Sequence, residues 1–258
     1  MSMDFHSQDN KHSYSTREAG SAWLNEAAVI TAGQSIDHAV DIGCGGGIYS
    51  RALQALSIPK VTGIDFSKPM IAEAEAHSTS CPGVHFQTGS AYQTNLPDDD
   101  ADLVLLRAVT HHLSDIHICF SEASRILKPG GFFIVQDRTP EDCFVSGSTT
   151  HIRGWLMEFF PQLALQEKKR RHSRSYLSDN MKETGFSSIE TRSLWETRKE
   201  YNTPEALFED LRARTGRSIL HEVSDGEIER FITFLSSKLP PEEKIIEKDR
   251  WTIWIGRR

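Results

Sequence analysis

The segment HAVDIGCGGGIYSRALQAL, residues 38–56, constrains the fold of this 258-residue chain more than any other stretch. An apolar run from His38 to Gly43 enters a cluster of glycines, and helical spacing follows from Ile48 to Leu56. A strand that feeds directly into a helix is the first half of a βαβ unit, whose next strand returns parallel to the first. The alternation continues with strands expected at Lys60 to Phe66, Val84 to Gly89, Ala101 to Ala108 and Gly131 to Asp137. One helix is expected to begin near Ser67, with Pro69 in its first turn, and another to span Asp115 to Leu127 before the KPGG turn from Lys128. The nearly continuous apolar run ADLVLLRA is what a central strand covered on both faces requires. Two later strands, Ser187 to Thr197 and Trp251 to Gly256, bring the total to seven. The expected fold is therefore α/β, a doubly wound, mostly parallel seven-stranded sheet with helices on both faces and a helical elaboration.

After Asp137 the pattern loosens into a helical stretch holding Trp155, Phe159 and Phe160, followed by the basic run KKRRHSR from Lys168 to Arg174. Helical spacing returns around Pro204 to Arg214 and Asp225 to Leu239. We read one domain over 1–258, with a ligand-binding core at 36–140, a variable region at 141–185, and C-terminal strands with a helical insertion at 186–258. Acids outnumber bases by 36 to 29, so no global positive field holds nucleic acid or an anionic membrane. The basic run is then either a local anion or RNA site or a solvated helix end. With a mean hydropathy of −0.42, no apolar run approaches the roughly 20 residues of a membrane span. Met1 to Ser15 shows no secretory pattern, which makes the expected address cytoplasmic. The four cysteines form no CxxC pair and are read as reduced thiols. No metal site is expected, since the aspartates at 98, 99, 100 and 102 lack an EF-hand spacing.

Ligands of doubly wound sheets sit at the carboxyl ends of the strands, which is where the glycines lie. Gly43-x-Gly45 begins a dinucleotide fingerprint, but Ile48 stands where the third glycine would be. Asp41, two residues before Gly43, is ill placed beside a pyrophosphate and suits a cationic ligand such as a sulfonium bearing an α-ammonium group. Asp65 ends the second strand, where two acceptor oxygens match two adjacent ribose hydroxyls.

From Val40 to Asp137 these motifs resemble, in order, those of the class I S-adenosylmethionine-dependent methyltransferases, whose fold is Rossmann-like. VDIGCGGG is similar to the family's first motif and GIDFS to its second; TGSAYQTNLP resembles the adenine-contacting segment, and LLRAVTHHL with RILKPGG resembles the small-molecule and quinone-biosynthesis branch. The resemblance implies S-adenosylmethionine as cofactor, bound by Asp41, Gly43, Cys44, Gly45, Asp65, Phe66, Ser90, Ala91 and the backbone near Arg107. Ser90 replaces an acid common at the adenine amino group, and its hydroxyl accepts a hydrogen bond more weakly. The side chain of Arg107 either faces the ligand crevice or pairs with one of the nearby aspartates. His111 and His112 follow the fourth strand, and either can serve as the base for an acceptor that must lose a proton, or instead cap a helix and face solvent.

The reaction this implies is methyl transfer to an O, N or C nucleophile of a small molecule, by a monomer or homodimer. No Asn/Asp-Pro-Pro-aromatic motif for exocyclic amine methylation follows the fourth strand. Cys81-Pro82 has the reverse of the order needed for attack on cytosine C5. RNA or protein methylation, a non-catalytic cofactor-binding protein and, last, a nicotinamide oxidoreductase are the alternatives.

Overall fold

The computed structural model describes residues 18–241 and 243–258; the expectation drawn from Met1 to Ser15 lies outside them. In chain order the elements are α1 (Ser21–Thr31), β1 (His38–Ile42), α2 (Ile48–Ala55), β2 (Lys60–Asp65), α3 (Lys68–His77), β3 (Val84–Thr88), β4 (Ala101–Arg107), α4 (Ile116–Ile126), β5 (Leu127–Asp137), α5 (Pro140–Cys143), α6 (Ile152–Phe159), α7 (Pro161–Arg170), α8 (Arg174–Glu183), β6 (Ser187–Tyr201), α9 (Pro204–Arg212), α10 (Asp225–Ser236) and β7 (Ile245–Arg257). The seven strands form one sheet in the order β3-β2-β1-β4-β5-β7-β6. Strands β1 to β5 pair in parallel, and β7 runs antiparallel to β5. The order reverses between β1 and β4, which leaves a crevice at their carboxyl ends.

By contacts the chain divides into two compact units. One comprises 18–139, 172–194 and 251–258, and contains the strand core. Alternation along its strands splits the apolar side chains between two faces. Val40, Ile42, Val104, Leu106, Phe133 and Val135 meet α4 and α8 through Phe120, Ala123, Leu177 and Met181. Ala39, Val61, Leu103, Leu105 and Ile134 meet α1 and α2 through Trp23, Ala27, Ala52 and Leu53. Both layers exclude water from β4, which explains its unbroken apolar run; truncating a side chain such as Leu105 to Ala costs about 2–5 kcal/mol. The acid at 115 caps α4, its carboxylate accepting from the Ile118 N–H at 3.0 Å.

The second unit comprises Pro140–Arg171 and Trp195–Arg250. Its core joins Ile152, Leu156 and Leu163 to Leu207, Leu211, Phe231 and Leu235, so Phe160 is core, and Trp155 and Phe159 pack against it half-buried. A buried ionic cluster completes it. Arg217 donates to Glu247 at 2.7 Å and to Asp210, and Arg198 donates to Glu247 at 2.9 Å. Burial would raise the Asp210 pKa, but Arg217, Lys199 and Arg198 outweigh it and hold that group down to about 2.

Several boundaries differ from those read in the sequence. Strand β5 begins at Leu127, not Gly131, because Leu127 pairs with Ala101 and the KPGG segment bulges between that pair and Leu103↔Phe132. Strands β6 and β7 are longer than expected and are divided by the unit boundaries after Leu194 and Arg250. Helix α1 is an addition: only Trp23 and Ala27 are buried along it, so its periodicity is weak. Helix α8 is a second addition, and its Leu177 and Met181 pack into the strand core. The boundary between the two contact units falls after Arg171.

Candidate functional site

At the carboxyl end of β1 the backbone turns through three left-handed glycines, Gly43, Gly45 and Gly47, with φ of +74°, +49° and +75°. Such angles are costly for any residue with a Cβ. The turn is held from β2, whose Ile64 carbonyl accepts the N–H groups of Gly43 at 2.7 Å and Cys44 at 3.0 Å. A Cβ on Gly43 would lie 2.3 Å from Val109 Cγ2, so the absent side chain brings the segment after β4 against the loop. At Gly45 nothing stands within 4 Å of a built Cβ, leaving room for a ligand over the backbone. Gly47 lies against the Phe86 ring, 2.6 Å from a built Cβ. It provides the close helix–strand approach just before Ile48, a role that the sequence reading assigned to no residue although the fourth glycine of GCGGG was its signal.

Two acids flank this loop. Asp41 is 2 % exposed and its Oδ2 accepts from Ser50 Oγ at 2.7 Å. Burial pushes its pKa up to about 6, with the Asp65 charge adding to the rise and Ser50 and Arg107 opposing it. Asp65 has its carboxylate fixed by the backbone, Oδ2 accepting from the Gly45 N–H at 3.0 Å and Oδ1 from the Ser67 N–H at 2.9 Å. Burial raises its pKa, though these N–H groups resist the rise. A carboxylate has about four lone-pair sites, and with a further backbone hydrogen bond from Phe66 it still keeps capacity for a ligand hydroxyl. The Cys44 thiol is buried and pushed well above its usual pKa by burial and by both acids, which makes it a neutral, unreactive wall of the loop.

Phe66 follows Asp65 and is 57 % exposed, an apolar ring at the sheet's carboxyl edge. Ser90 closes a small turn: its Oγ accepts from the Tyr92 N–H at 3.1 Å, while Ala91 packs against the strand core. The hydroxyl donor and one lone pair of Ser90 remain for a base edge. The Arg107 guanidinium lies over two aromatic rings, 3.9 Å from the Tyr49 centroid and 4.4 Å from that of Trp251, and its Nε donates to Gln136 at 3.2 Å. The nearby aspartates each have a partner of their own. Asp98 pairs with Arg125, Asp99 with Arg258, Asp100 with His38 and Asp102 with Lys128. Among the described residues no group of three or more His, Cys, Asp and Glu is placed to hold a metal ion.

His111 and His112 lie in a 3-10 turn, Thr110–His112, just beyond Val109. His111 Nδ1 is 2.8 Å from Oδ2 of Asp137, a residue 1 % exposed at the end of β5. His112 is exposed and lies beside the His111 ring, with centroids 4.0 Å apart. The histidines were legible in the sequence and Asp137 was not, since 26 residues separate it from His111. Pairing of β4 with β5, which aligns Arg107 with Gln136, brings the two together.

The basic run does not form a free cationic patch. Arg170 and Arg171 pair with the buried Glu167, Arg171 Nε at 2.9 Å, and Arg174 hydrogen-bonds Ser193 at 3.2 Å. Only Lys168 and Lys169 of this run are exposed in the helical unit. No helix among the described residues is long and apolar enough to cross a membrane.

Residues 40–135 match the family model for a methyltransferase domain. The chain is 32 % identical over 128 residues to the uncharacterized methyltransferase YcgJ of Bacillus subtilis, covering 48 % of this chain and 50 % of that one. It is 34 % identical over 125 residues to the ubiquinone biosynthesis O-methyltransferase of Pseudomonas putida, covering 46 % and 51 %. The chain thus spans about half the length of the curated relatives it matches. Its fold is similar to that of Haemonchus contortus phosphoethanolamine N-methyltransferase 2, a structure with S-adenosylhomocysteine and phosphomonomethylethanolamine, at a TM-score of 0.61, 20 % identity, and coverage of 99 % of this chain and 61 % of that one. Glycine loop, paired acids and family match agree on the same stretch: residues 40–135 match a methyltransferase domain.

Proposed function

We propose that the protein transfers a methyl group from S-adenosylmethionine to a nucleophilic atom of a small molecule. The observation that carries the cofactor assignment is Asp65, whose two oxygens are oriented by the Gly45 and Ser67 N–H groups beside the open space over Gly45. When bound, the cofactor supplies an electrophilic methyl group on a sulfonium, whose sulfur leaves as a neutral thioether without need of a metal. Asp65 accepts the ribose hydroxyls and Phe66 offers its ring to the adenine, with Ser90 and Ala91 at the base edge. The negative charge of Asp41 favours the cofactor's cationic end, and the segment beyond β4 lines the reacting side. Positioning supplies most of the rate, since an in-line displacement depends on holding two reactants within near-attack distance.

A small molecule is favoured over nucleic acid because the chain's excess of acid is general and two arginines of its densest basic run are engaged with Glu167. The relatives include an enzyme named for ubiquinone biosynthesis and a fold neighbour crystallised with a phosphorylated amino alcohol, which suits a small acceptor. Incubating the protein with methyl-tritiated S-adenosylmethionine and a panel of phenols, hydroxyquinones, amines and carboxylic acids tests the reading. Label in an organic-extractable product supports it. Label that moves only to total RNA or to protein sends the assignment to a macromolecular acceptor.

A further inference from the structure

We propose that the helical unit carries a binding site for a short-chain monocarboxylate, whose charged end is received by Arg153. The site is independent of the methyl-transfer reading. Every residue that lines it lies in Pro140–Arg171 or Trp195–Arg250, outside the 40–135 segment of the methyltransferase match.

A cavity of about 310 Å³, counted to its mouth, opens among α6, β6, α9, α10 and β7. Arg153, Arg198, Arg217, Glu247 and Asp249 form its polar lining, and Leu156, Leu211 and Phe231 belong to an apolar wall. A few convergent polar groups on an otherwise apolar wall are what small-ligand sites present, and this volume is at the low end of their range of roughly 300–1,000 Å³, so the occupant is small. Two of the three guanidinium groups are taken up by the ionic cluster. Arg198 donates from Nη1 to Glu247 and Tyr201, both at 2.9 Å, and from Nη2 to the Thr215 carbonyl. Arg217 donates to Glu247 at 2.7 Å and to Asp210. Arg153 differs. Its side chain is 12 % exposed and its Nε donates to Asp249 at 3.1 Å, yet its buried Nη1 meets no hydrogen-bond partner among the described residues. A buried donor left without a partner is destabilising, more so on a charged group, and native structures seldom keep one without a reason.

Charge agrees with this geometry. Burial would lower the Arg153 pKa, but Asp249 and Glu167 outweigh it and keep the guanidinium charged. Burial would raise the Glu247 pKa, and Arg217 and Arg198 hold it below the usual carboxylate range. Three guanidinium groups against two carboxylates therefore line the cavity, one positive charge in excess. Nearby Asp210 is matched by Lys199 at 2.6 Å, and Glu167 by Arg170 and Arg171, so neither cancels that excess. A water molecule satisfies Nη1 and leaves the charge, whereas a dianion overshoots it. A carboxylate brings one negative charge, its planar pair of oxygens matches a guanidinium edge, and a short alkyl chain suits the apolar wall.

The probe is sodium propionate added to the full chain, compared with sodium chloride at equal ionic strength and with neutral propionamide. Propionate should give a saturable heat in calorimetry and a saturable rise in Tm, and neither comparison compound should do so. A rise that chloride reproduces is a general salt effect and overturns the proposal, as does equal binding of propionamide or no binding of propionate. Arg153→Lys keeps the charge and loses the planar fork; it should weaken propionate binding at least about tenfold while circular dichroism shows the same helix content. An unchanged Kd in that variant overturns the assignment to Arg153. If Arg153→Lys does not fold, Leu156→Phe fills the apolar side, leaves the guanidinium in place and should weaken propionate to the same extent; unchanged binding there refutes the location. Asp65→Ala, at the end of β2, should bind propionate as the wild type does. Loss of propionate binding in Asp65→Ala would put the ligand in the cofactor crevice and overturn the proposal. Failure of the wild type to bind S-adenosylmethionine would instead remove the methyl-transfer reading and leave the propionate result standing on its own.

Discussion

Replacing Asp41 with Asn should make the unliganded protein more stable and the liganded one weaker. Asp41 is 2 % exposed, and its pKa rises from 3.8 to about 6, chiefly because burial penalises the charge. That gap corresponds to about 3 kcal/mol, at about 1.4 kcal/mol for each tenfold change in proton affinity. Below pH 3.8 the carboxyl is protonated in both folded and unfolded chains, and the group adds no pH dependence. Between 3.8 and about 6 the folded chain keeps a proton that the unfolded chain releases, so wild-type stability falls as pH rises through this window. Above about 6 the folded protein bears the whole cost. Asn has nearly the same shape and still accepts from Ser50 Oγ, now at 2.7 Å from the acid, without the charge. Urea denaturation followed by tryptophan fluorescence at several pH values, wild type beside Asp41→Asn, should show curves that meet near pH 4 and diverge by up to about 3 kcal/mol by pH 8. Calorimetry should show S-adenosylmethionine binding weakened about tenfold or more, through loss of the anionic partner of a cation. Curves that stay parallel across the range, or a variant less stable at pH 8, would refute the idea that Asp41 is held charged at a cost for the sake of its ligand.

Three further outcomes follow from geometry. Gly43→Ala sets a Cβ 2.3 Å from Val109 at a φ of +74°, and should cost about 1–3 kcal/mol in thermal unfolding; Gly43→Ala/Val109→Ala should recover part of the loss by relieving the clash while the backbone strain remains. Glu247→Gln removes the carboxylate from Arg198 and Arg217 in the helical unit and should destabilise by about 3–5 kcal/mol, because a buried charge is left uncompensated. Within the basic run, Arg171→Ala should be destabilising for the same reason through Glu167, whereas Lys168→Ala and Lys169→Ala should lie within about 0.5 kcal/mol of wild type. If the two lysines cost as much as Arg171, the run is a structural unit of a different kind from the one described.

The parts of the fold legible in the sequence are those where one local rule decides. β1, β2 and β4 are recovered to within a residue of the expected ends, since the middle of a strand buried on both faces is mostly apolar. The glycine loop was legible because left-handed backbone leaves little choice of residue. What escaped was decided by partners distant in sequence. Helix α1 buries only Trp23 and Ala27, and α8 reads as polar until Leu177 and Met181 find the strand core. Asp137 looked like the last residue of a strand, and only the β4–β5 register shows it behind His111. Arg107 was assigned to an ion pair or the crevice, while its place over Tyr49 and Trp251 depends on a tryptophan 144 residues later in the chain. The ionic cluster of Arg198, Asp210, Arg217 and Glu247 was equally unreadable, since each member alone resembles an ordinary surface charge.

Isothermal titration of the protein with S-adenosylmethionine, S-adenosylhomocysteine and NAD, with Asp65→Ala alongside, tests the central claim most directly. Micromolar binding of the first two ligands, none of NAD, and loss of binding in the variant is the expected result. Binding of NAD alone, or S-adenosylmethionine binding that survives Asp65→Ala unchanged, would contradict the assignment of the glycine loop and its acid to this cofactor.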